Sequence, residues 1–274
     1  MDKNPITIIK LQKKNKLLIF ICYLLLLISC NQTNESTTKT VKDNIAKDTT
    51  KQQDTVFQLT GKYHVPKSLQ YCDIEDVLKD LFYPIGWSAD GKIAYFLEPA
   101  DEACGCYRVS LIVQDMITDK ILWQWDFNDN GENKDNLTSI WWKNQAMFSE
   151  KLLSYKIIQF DEKIILSPLQ INNRKYTLKI DKELKKDADF GFNTINKAVI
   201  EVTTDLGTKT IFKYHEDEYP TILNIGISGY LLNRFENRIA VIYYEEHRGY
   251  EGPPNVIRFV LTGCHLVEGY KLTK

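Results

Sequence analysis

Apolar side chains fall along this chain in three regimes, and the regimes set its organisation. From Leu17 to Ile28 they run without a single charge. From Asn31 to about Thr55 they almost vanish, leaving only Val41, Ile45 and Ala46 among Thr, Lys, Asp, Asn, Gln and Ser. From Val56 onward they recur in short runs, most of which alternate with polar residues as the two faces of a strand require.

The third regime predicts elements. Val56–Val65 alternates weakly and reads as an edge strand or hairpin. Ile74, Val77, Leu78, Leu81 and Phe82 recur at helical spacing after Asp73, so a short capped helix is expected, ended by Pro84. Ile85–Trp87, Ile93–Glu98, Tyr107–Gln114 and Ile121–Phe127 then read as four antiparallel strands. The first two are joined by Ser88-Ala89-Asp90-Gly91-Lys92, a turn in which Gly takes positive φ without a Cβ clash. Leu137 to about Ile157 is helical, capped by Asp135 or Asn136, with Leu137, Ile140, Trp141, Phe148, Leu152 and Tyr155 on one face. Strands resume at Lys163–Leu166, Tyr176–Ile180, Ala198–Thr204 and Thr208–Tyr214, with the charged run Asp181–Asp189 as a solvated connection. Gly226–Leu232, Arg238–Glu245 and Val256–Leu261 close the chain. The expected fold is mainly β: antiparallel, blade-like four-stranded sheets, propeller-like or sandwich, with one or two packed α-helices.

The first regime addresses the chain. Lys10, Lys13, Lys14 and Lys16 precede a twelve-residue apolar run, whereas a spanning helix needs about 20 such residues. The run is therefore read as the core of an export signal. Its end, Leu27-Ile28-Ser29-Cys30, resembles the bacterial lipobox. That resemblance implies removal of residues 1–29, lipidation of Cys30, and attachment to a membrane through the N-terminal lipid. Asn31, rather than Asp, after the cysteine favours the outer membrane by the same resemblance, on its periplasmic or its outer face. Residues 30–55 have too little to bury to offset their ordering entropy and read as a disordered tether. Residues 56–274 form the expected β-rich domain.

Removing residues 1–29 takes away five lysines and one aspartate, so the formal charge moves from −1 to −5. An acidic chain without a basic stripe is not a nucleic-acid binder by bulk electrostatics. The six cysteines also shrink to four: Cys72, Cys104, Cys106 and Cys264. Outside the cytoplasm these suit disulfides, with Cys104 and Cys106 each paired to Cys72 or Cys264 because a ring between Cys104 and Cys106 is small and strained. Free buried thiols and a four-thiolate zinc site are the alternatives, although C-x-C is tighter than the usual finger spacing.

Two local similarities suggest blades. WSADGKIAYF resembles the strand–turn–strand of WD40-like repeats, and DMITDKILWQW resembles their outer hairpin. Arg234–Ile242 partly echoes Ser88–Phe96: acid, a residue tolerant of positive φ, base, then Ile-Ala. Blade-like units are thus expected at 84–127 and 226–272. With the lipobox, the C-G-C-Y strand start and FENRIAV followed by GYEGPP, the chain looks like uncharacterised bacterial envelope lipoproteins with WD40-like elements. That likeness informs fold and location and carries no reaction.

Candidate chemistry is sparse. Asp126, Asn128 and Asn130, with Gly131, match the first half of a calcium loop, D-x-[DN]-x-[DN]-G, though Leu137 stands where the closing bidentate Glu belongs and Glu132 or Asp135 could replace it only with altered geometry. The alternative is a polar turn leading to a helix cap. Trp141-Trp142 suggests a sugar-stacking platform, set against the commoner use of such residues in a core. The loop around Glu245, Glu246, His247, Arg248, Tyr250 and Glu251 joins two expected strands and is longer than a hairpin needs. The chain contains no G-x-S-x-G, H-E-x-x-H, P-loop or G-x-G-x-x-G motif. The reading is a lipid-anchored, non-enzymatic envelope protein that binds a protein, glycan or small ligand through loops such as this one. A hydrolase using His247 with Glu245, Glu246 or Glu251 is the alternative.

Overall fold

The computed structural model describes residues 63–272 apart from positions 70, 73, 103–104, 130–134, 187–190 and 216–221. The expected export signal, Cys30, the tether, the Asp73 cap, Cys104, Asn130 and Glu132 lie outside the described residues.

The first strand, β1 (Val77–Lys79), stands apart from its sequence neighbours. After it, β2 (Leu81–Trp87), β3 (Lys92–Glu98), β4 (Arg108–Asp115) and β5 (Ile121–Asn128) form an antiparallel meander. A helix, α1 (Leu137–Ser154), follows, and β6 (Ile158–Gln159) returns to the free edge of β2. A second meander comprises β7 (Leu169–Ile171), β8 (Arg174–Lys186), β9 (Asn193–Thr204) and β10 (Gly207–His215). A third comprises β11 (Ile222–Leu232), β12 (Arg238–His247) and β13 (Asn255–His265), and β1 lies parallel to β13 as its fourth strand.

Packing orders these sheets into layers. One face of β2–β4 sends Ile85, Ala94, Phe96, Leu111 and Val113 against Trp141, Phe148 and Leu152 of α1. The other face sends Trp87, Ile93, Tyr95 and Ile112 against Ala240, Ile242, Ile257 and Leu261 of the β11–β13 sheet. The far side of that sheet, through Ile239, Val241, Tyr243 and Cys264, packs on Tyr176, Ala198, Ile200 and Val202 of the β7–β10 sheet. The layers are thus helix, sheet, sheet, sheet, and the β11–β13 sheet is covered on both faces. This explains why β12 is buried at six consecutive positions from Arg238 to Tyr243, where a half-exposed strand would alternate. The sheets, of four and five strands and antiparallel apart from the β1–β13 pair, match the expected mainly β fold class. The stack ends on a helix at one side and on the solvated face of β8 at the other, the arrangement of a layered sandwich.

Several local expectations are overturned. The helix foreseen over Ile74–Phe82 is strand β1, a break at Asp80, and β2. The main chain at Asp80 donates to the carbonyl of Ile257, and its carboxylate accepts the Ala100 amide at 3.0 Å. Pairing with β13 and β3 outweighs a helical spacing that only a few residues carry. Pro84 is tolerated inside β2 because it sits at a register shift and β6 begins only opposite Gly86. The charged stretch Asp181–Asp189 was expected to be a connection, yet β8 runs on through Lys186 opposite β9. Beyond the sandwich both its faces meet water, so its side chains are charged while the backbone ladder persists. Lys163–Leu166 contributes only a bridge from Ile165 to Tyr230.

Other expectations hold with refinement. Helix α1 is capped by Asn136, whose Oδ1 accepts the Ser139 amide at 3.0 Å while Ser139 Oγ accepts the Asn136 amide. Trp141 is fully buried against Phe96 and Phe148, whereas Trp142 is 59% exposed. The helix sends the two indoles in different directions, so they form no platform.

The internal echo has a structural counterpart. The Ser88–Lys92 turn and the Asn233–Arg238 turn lie against each other in adjacent sheets, with Asn233 Nδ2 donating to the Ser88 carbonyl at 3.4 Å. Each holds the acid–base pair of the shared pattern: Asp90 with Lys92, and Glu236 with Arg238 at 2.9 Å. The backbones differ. Gly91 has φ +84°, but Asn237 is not among the positive-φ residues, contrary to expectation. Instead the Arg238 amide donates to the Glu236 carbonyl at 2.8 Å, a three-residue turn centred on Asn237.

Candidate functional site

The sequence-chosen loop is the β12–β13 connection, and the structure brings part of its residue set together. Side chains two apart on a strand share a face, so Glu245 and His247 are neighbours. His247 Nε2 lies 3.2 Å from Glu245 Oε2, and both side chains are largely buried. Glu246 points to the opposite face and accepts Asn255 Nδ2 at 2.7 Å. Glu251 is exposed in the turn beyond. Of the three carboxylates considered for His247, strand geometry therefore selects Glu245. Arg248 lies over the Phe192 ring, 5.6 Å from its centroid.

The turn itself is compact rather than a slack solvated loop. The Gly252 amide donates to the Gly249 carbonyl at 3.0 Å, and a Cβ on Gly249 would collide with the carbonyl oxygens of Pro254 and Gly252. Tyr250, 84% exposed, has its amide held by Glu102 Oε2 at 3.0 Å. The other oxygen of Glu102 faces Arg258 at 3.6 Å. Asp80, buried beside this array, has its carboxyl raised by burial; the Ala100 and Phe259 amides and the charges of Arg258 and His247 pull the other way. Sequence reasoning missed Glu102 and Asp80, because each comes from a distant turn and only the fold brings it here.

A second place was not foreseen. The connection leaving β6 crosses from the edge of β2 to β11, tied by the Phe160 amide to the Ile85 carbonyl and by the paired bonds of Ile165 with Tyr230. Against it lies the 64–69 segment, held by both polar atoms of the Gln159 side chain on the His64 backbone at 2.8 Å each. Between them is a cleft of about 290 Å³, lined by Lys67, Ser68, Pro84, Phe160, Glu162 and Lys163 among others. Glu162 Oε1 is buried there without a hydrogen-bond partner. Burial pushes its carboxyl up to about 7, against the pull of Arg234. Arg234 is engaged elsewhere, 4.5 Å above the Phe160 ring and donating to the Asp161 carbonyl at 3.4 Å. The sequence around Asp161-Glu162-Lys163 reads only as a polar turn, so nothing local marks it.

The remaining candidates are dispersed. Asp126 and Asn128 belong to strand β5, and Asp126 Oδ1 accepts Ser110 Oγ and Gln124 Nε2 at 2.6 and 2.7 Å. Asn130 and Glu132, the other members of that set, lie outside the described residues. Among the described residues no three His, Cys, Asp or Glu side chains gather as a metal site. Cys72 and Cys264 are free thiols, against the expected cross-pairing with Cys104 and Cys106. Cys264 faces the core between the middle sheet and the β7–β10 sheet, while Cys72 packs on the opposite side of the middle sheet. Cys106 is disulfide-bonded.

Comparison with known proteins leaves the fold and these sites to speak for themselves: no family model, no curated protein and no solved structure matches the chain.

Proposed function

We propose that the chain is a lipid-anchored envelope protein, tethered through Cys30, that binds a protein or glycan partner at its β12–β13 end. The anchor rests on the Leu27–Cys30 resemblance; the observation that carries the binding part is Tyr250. It is a large aromatic held out in solvent at 84% exposure on a compact turn whose backbone is fixed by Glu102. An exposed aromatic on a rigid mount loses little entropy when a partner closes over it, which is the property of a binding anchor. Arg248, Arg258 and Glu102 around it supply a charged rim.

The test combines address and contact. Palmitate labelling should mark the protein and vanish in Cys30→Ser. A photoreactive side chain at position 250 should crosslink a defined envelope partner, while the same group at exposed Trp142 should not. Equal crosslinking at both positions, or unlabelled wild-type protein, overturns the reading. The His247–Glu245 contact favours a second reading, hydrolysis with His247 as general base. Under it, His247→Ala abolishes an ester- or amide-hydrolysing activity of the purified protein.

A further inference from the structure

We propose that the cleft between the 64–69 segment and the 159–163 connection binds a small zwitterion of amino-acid size. Its ammonium group pairs with the carboxylate of Glu162, which turns Oε1 toward it on binding, and its anionic group lies toward Lys67 and Lys163. This site is separate from the β12–β13 end and does not depend on that assignment.

Three observations carry the inference. The first is the orphan acceptor: Glu162 Oε1 is buried with no donor. A buried acceptor left unpaired costs about 1–3 kcal/mol, more when the group is charged, so a fold keeps one where something else completes it. The second is space. A cleft of about 290 Å³ admits a molecule of a few heavy atoms beyond water. Its walls are pinned by the Gln159–His64 bonds and by the bridge from Ile165 to Tyr230, so it is formed before anything enters.

The third observation is charge. A neutral hydroxyl would satisfy the Glu162 oxygen but leave its charge buried; an ammonium satisfies both. The protein's own cation nearby does not, because Arg234 stacks on Phe160 and donates to the Asp161 carbonyl. Lys67 and Lys163 line the same cleft and would repel a simple cation from its mouth. His64 Nε2 stands 4.0 Å from the carboxylate of Asp161, and both side chains are well exposed. A ligand with an anionic end opposite its ammonium meets Glu162, Lys67 and Lys163 with the right sign.

The full-length protein in detergent is titrated with a mixture of free L- and D-amino acids by ligand-observed NMR, in parallel with their N-acetyl counterparts. Free amino acids should bind and the N-acetyl forms should not, since acetylation removes the charge and leaves a single neutral amide N–H. Only ionised Glu162 can pair with an ammonium. Affinity should therefore rise about tenfold per pH unit on the acid side and level off above about pH 7. Glu162→Gln, checked to be folded by its melting transition, should lose at least about tenfold in affinity near pH 8 and lose the pH dependence. Lys67→Glu should weaken amino acids while sparing their amides. No binding at millimolar concentrations, equal binding of N-acetyl forms, or unchanged binding by Glu162→Gln overturns the proposal.

Discussion

Gly263 offers the most direct test of the layered fold, because its only reason to be glycine is a neighbouring sheet. It lies in β13 opposite Ala240, and its φ is not positive, so its backbone suits any residue. A Cβ placed on it would stand 2.6 Å from the carbonyl carbon of Met116 and 2.9 Å from its Cα, nearer still to the carbonyl oxygen. Met116 begins the β4–β5 turn of the adjacent sheet. That turn is fastened here by three bonds: Arg238 Nη1 to the Met116 carbonyl at 3.1 Å, the Gly263 amide to Asp119 Oδ1 at 2.7 Å, and Thr262 Oγ1 to Asp119 Oδ2 at 2.8 Å.

In Gly263→Ala the turn must retreat, straining the contact by about 1–3 kcal/mol and loosening charge-assisted bonds worth about 1.5–3 kcal/mol each. Alanine returns about 0.5–1 kcal/mol by stiffening the unfolded chain. A net loss of about 3 kcal/mol is expected. At about 2–4 °C per kcal/mol for a domain of this size, the melting temperature should fall by roughly 6–12 °C. The comparison is Gly191→Ala, where φ is +73° and nothing lies within 4 Å, so only backbone strain of about 1–2 kcal/mol acts. Calorimetry with a urea titration of unchanged slope measures both. A Gly263→Ala variant as stable as wild type, or less affected than Gly191→Ala, would mean the two sheets do not meet at this seam.

Three further outcomes follow from the same structure. Trp141→Ala should cost about 3–5 kcal/mol while Trp142→Ala stays within about 0.5 kcal/mol, read by urea midpoints, since one indole is buried and its neighbour exposed. Glu162→Gln should be nearly neutral near pH 4 and progressively stabilising toward pH 8. The folded carboxyl is raised from 4.5 to about 7, so the wild type is favoured below the unfolded value and loses that advantage as pH rises through 7, by at most about 3 kcal/mol. A pH-independent difference would contradict this. Cys264, fully buried with its thiol raised by burial, should resist a thiol reagent until urea unfolds the protein; labelling at the rate of a free peptide would place it on the surface.

How much of this was legible in the sequence varied with the range of the interactions. The β2–β5 meander could be read almost residue by residue, because alternation and the Asp90-Gly91 turn are local signals of one sheet. Asn136 and the α1 face were equally local. The Ile74–Phe82 segment was misread because its helical spacing competes with pairing partners more than 150 residues away, at Asn255–Ile257. The end of β8 was misread for the opposite reason: a strand that leaves the core keeps its ladder but loses the apolar alternation that announces it. The candidate loop was found by composition. Its partners Glu102 and Asp80, like Glu162 in the cleft, owe their surroundings wholly to the stacking of sheets.

That stacking also constrains where function can reside. The β11–β13 sheet has both faces covered, and the β2–β5 sheet lies between it and α1, so neither offers a broad open face to a ligand. What remains are the solvated outer face of the β7–β10 sheet, strand ends and the connections that cross sheet edges. Both places singled out above are of the last two kinds. The β12–β13 turn is a strand end gathered by Glu102 from the β3–β4 loop, and the Glu162 cleft lies where a connection passes from β2 to β11. Each draws its residues from segments far apart in sequence and fastens them with bonds to the backbone, which is the arrangement that gives a surface loop a fixed shape. A fold that served only as a spacer would have no need for such fastening. The pinned Tyr250 turn and the unpaired Glu162 oxygen both make physical sense once a second molecule contributes to them.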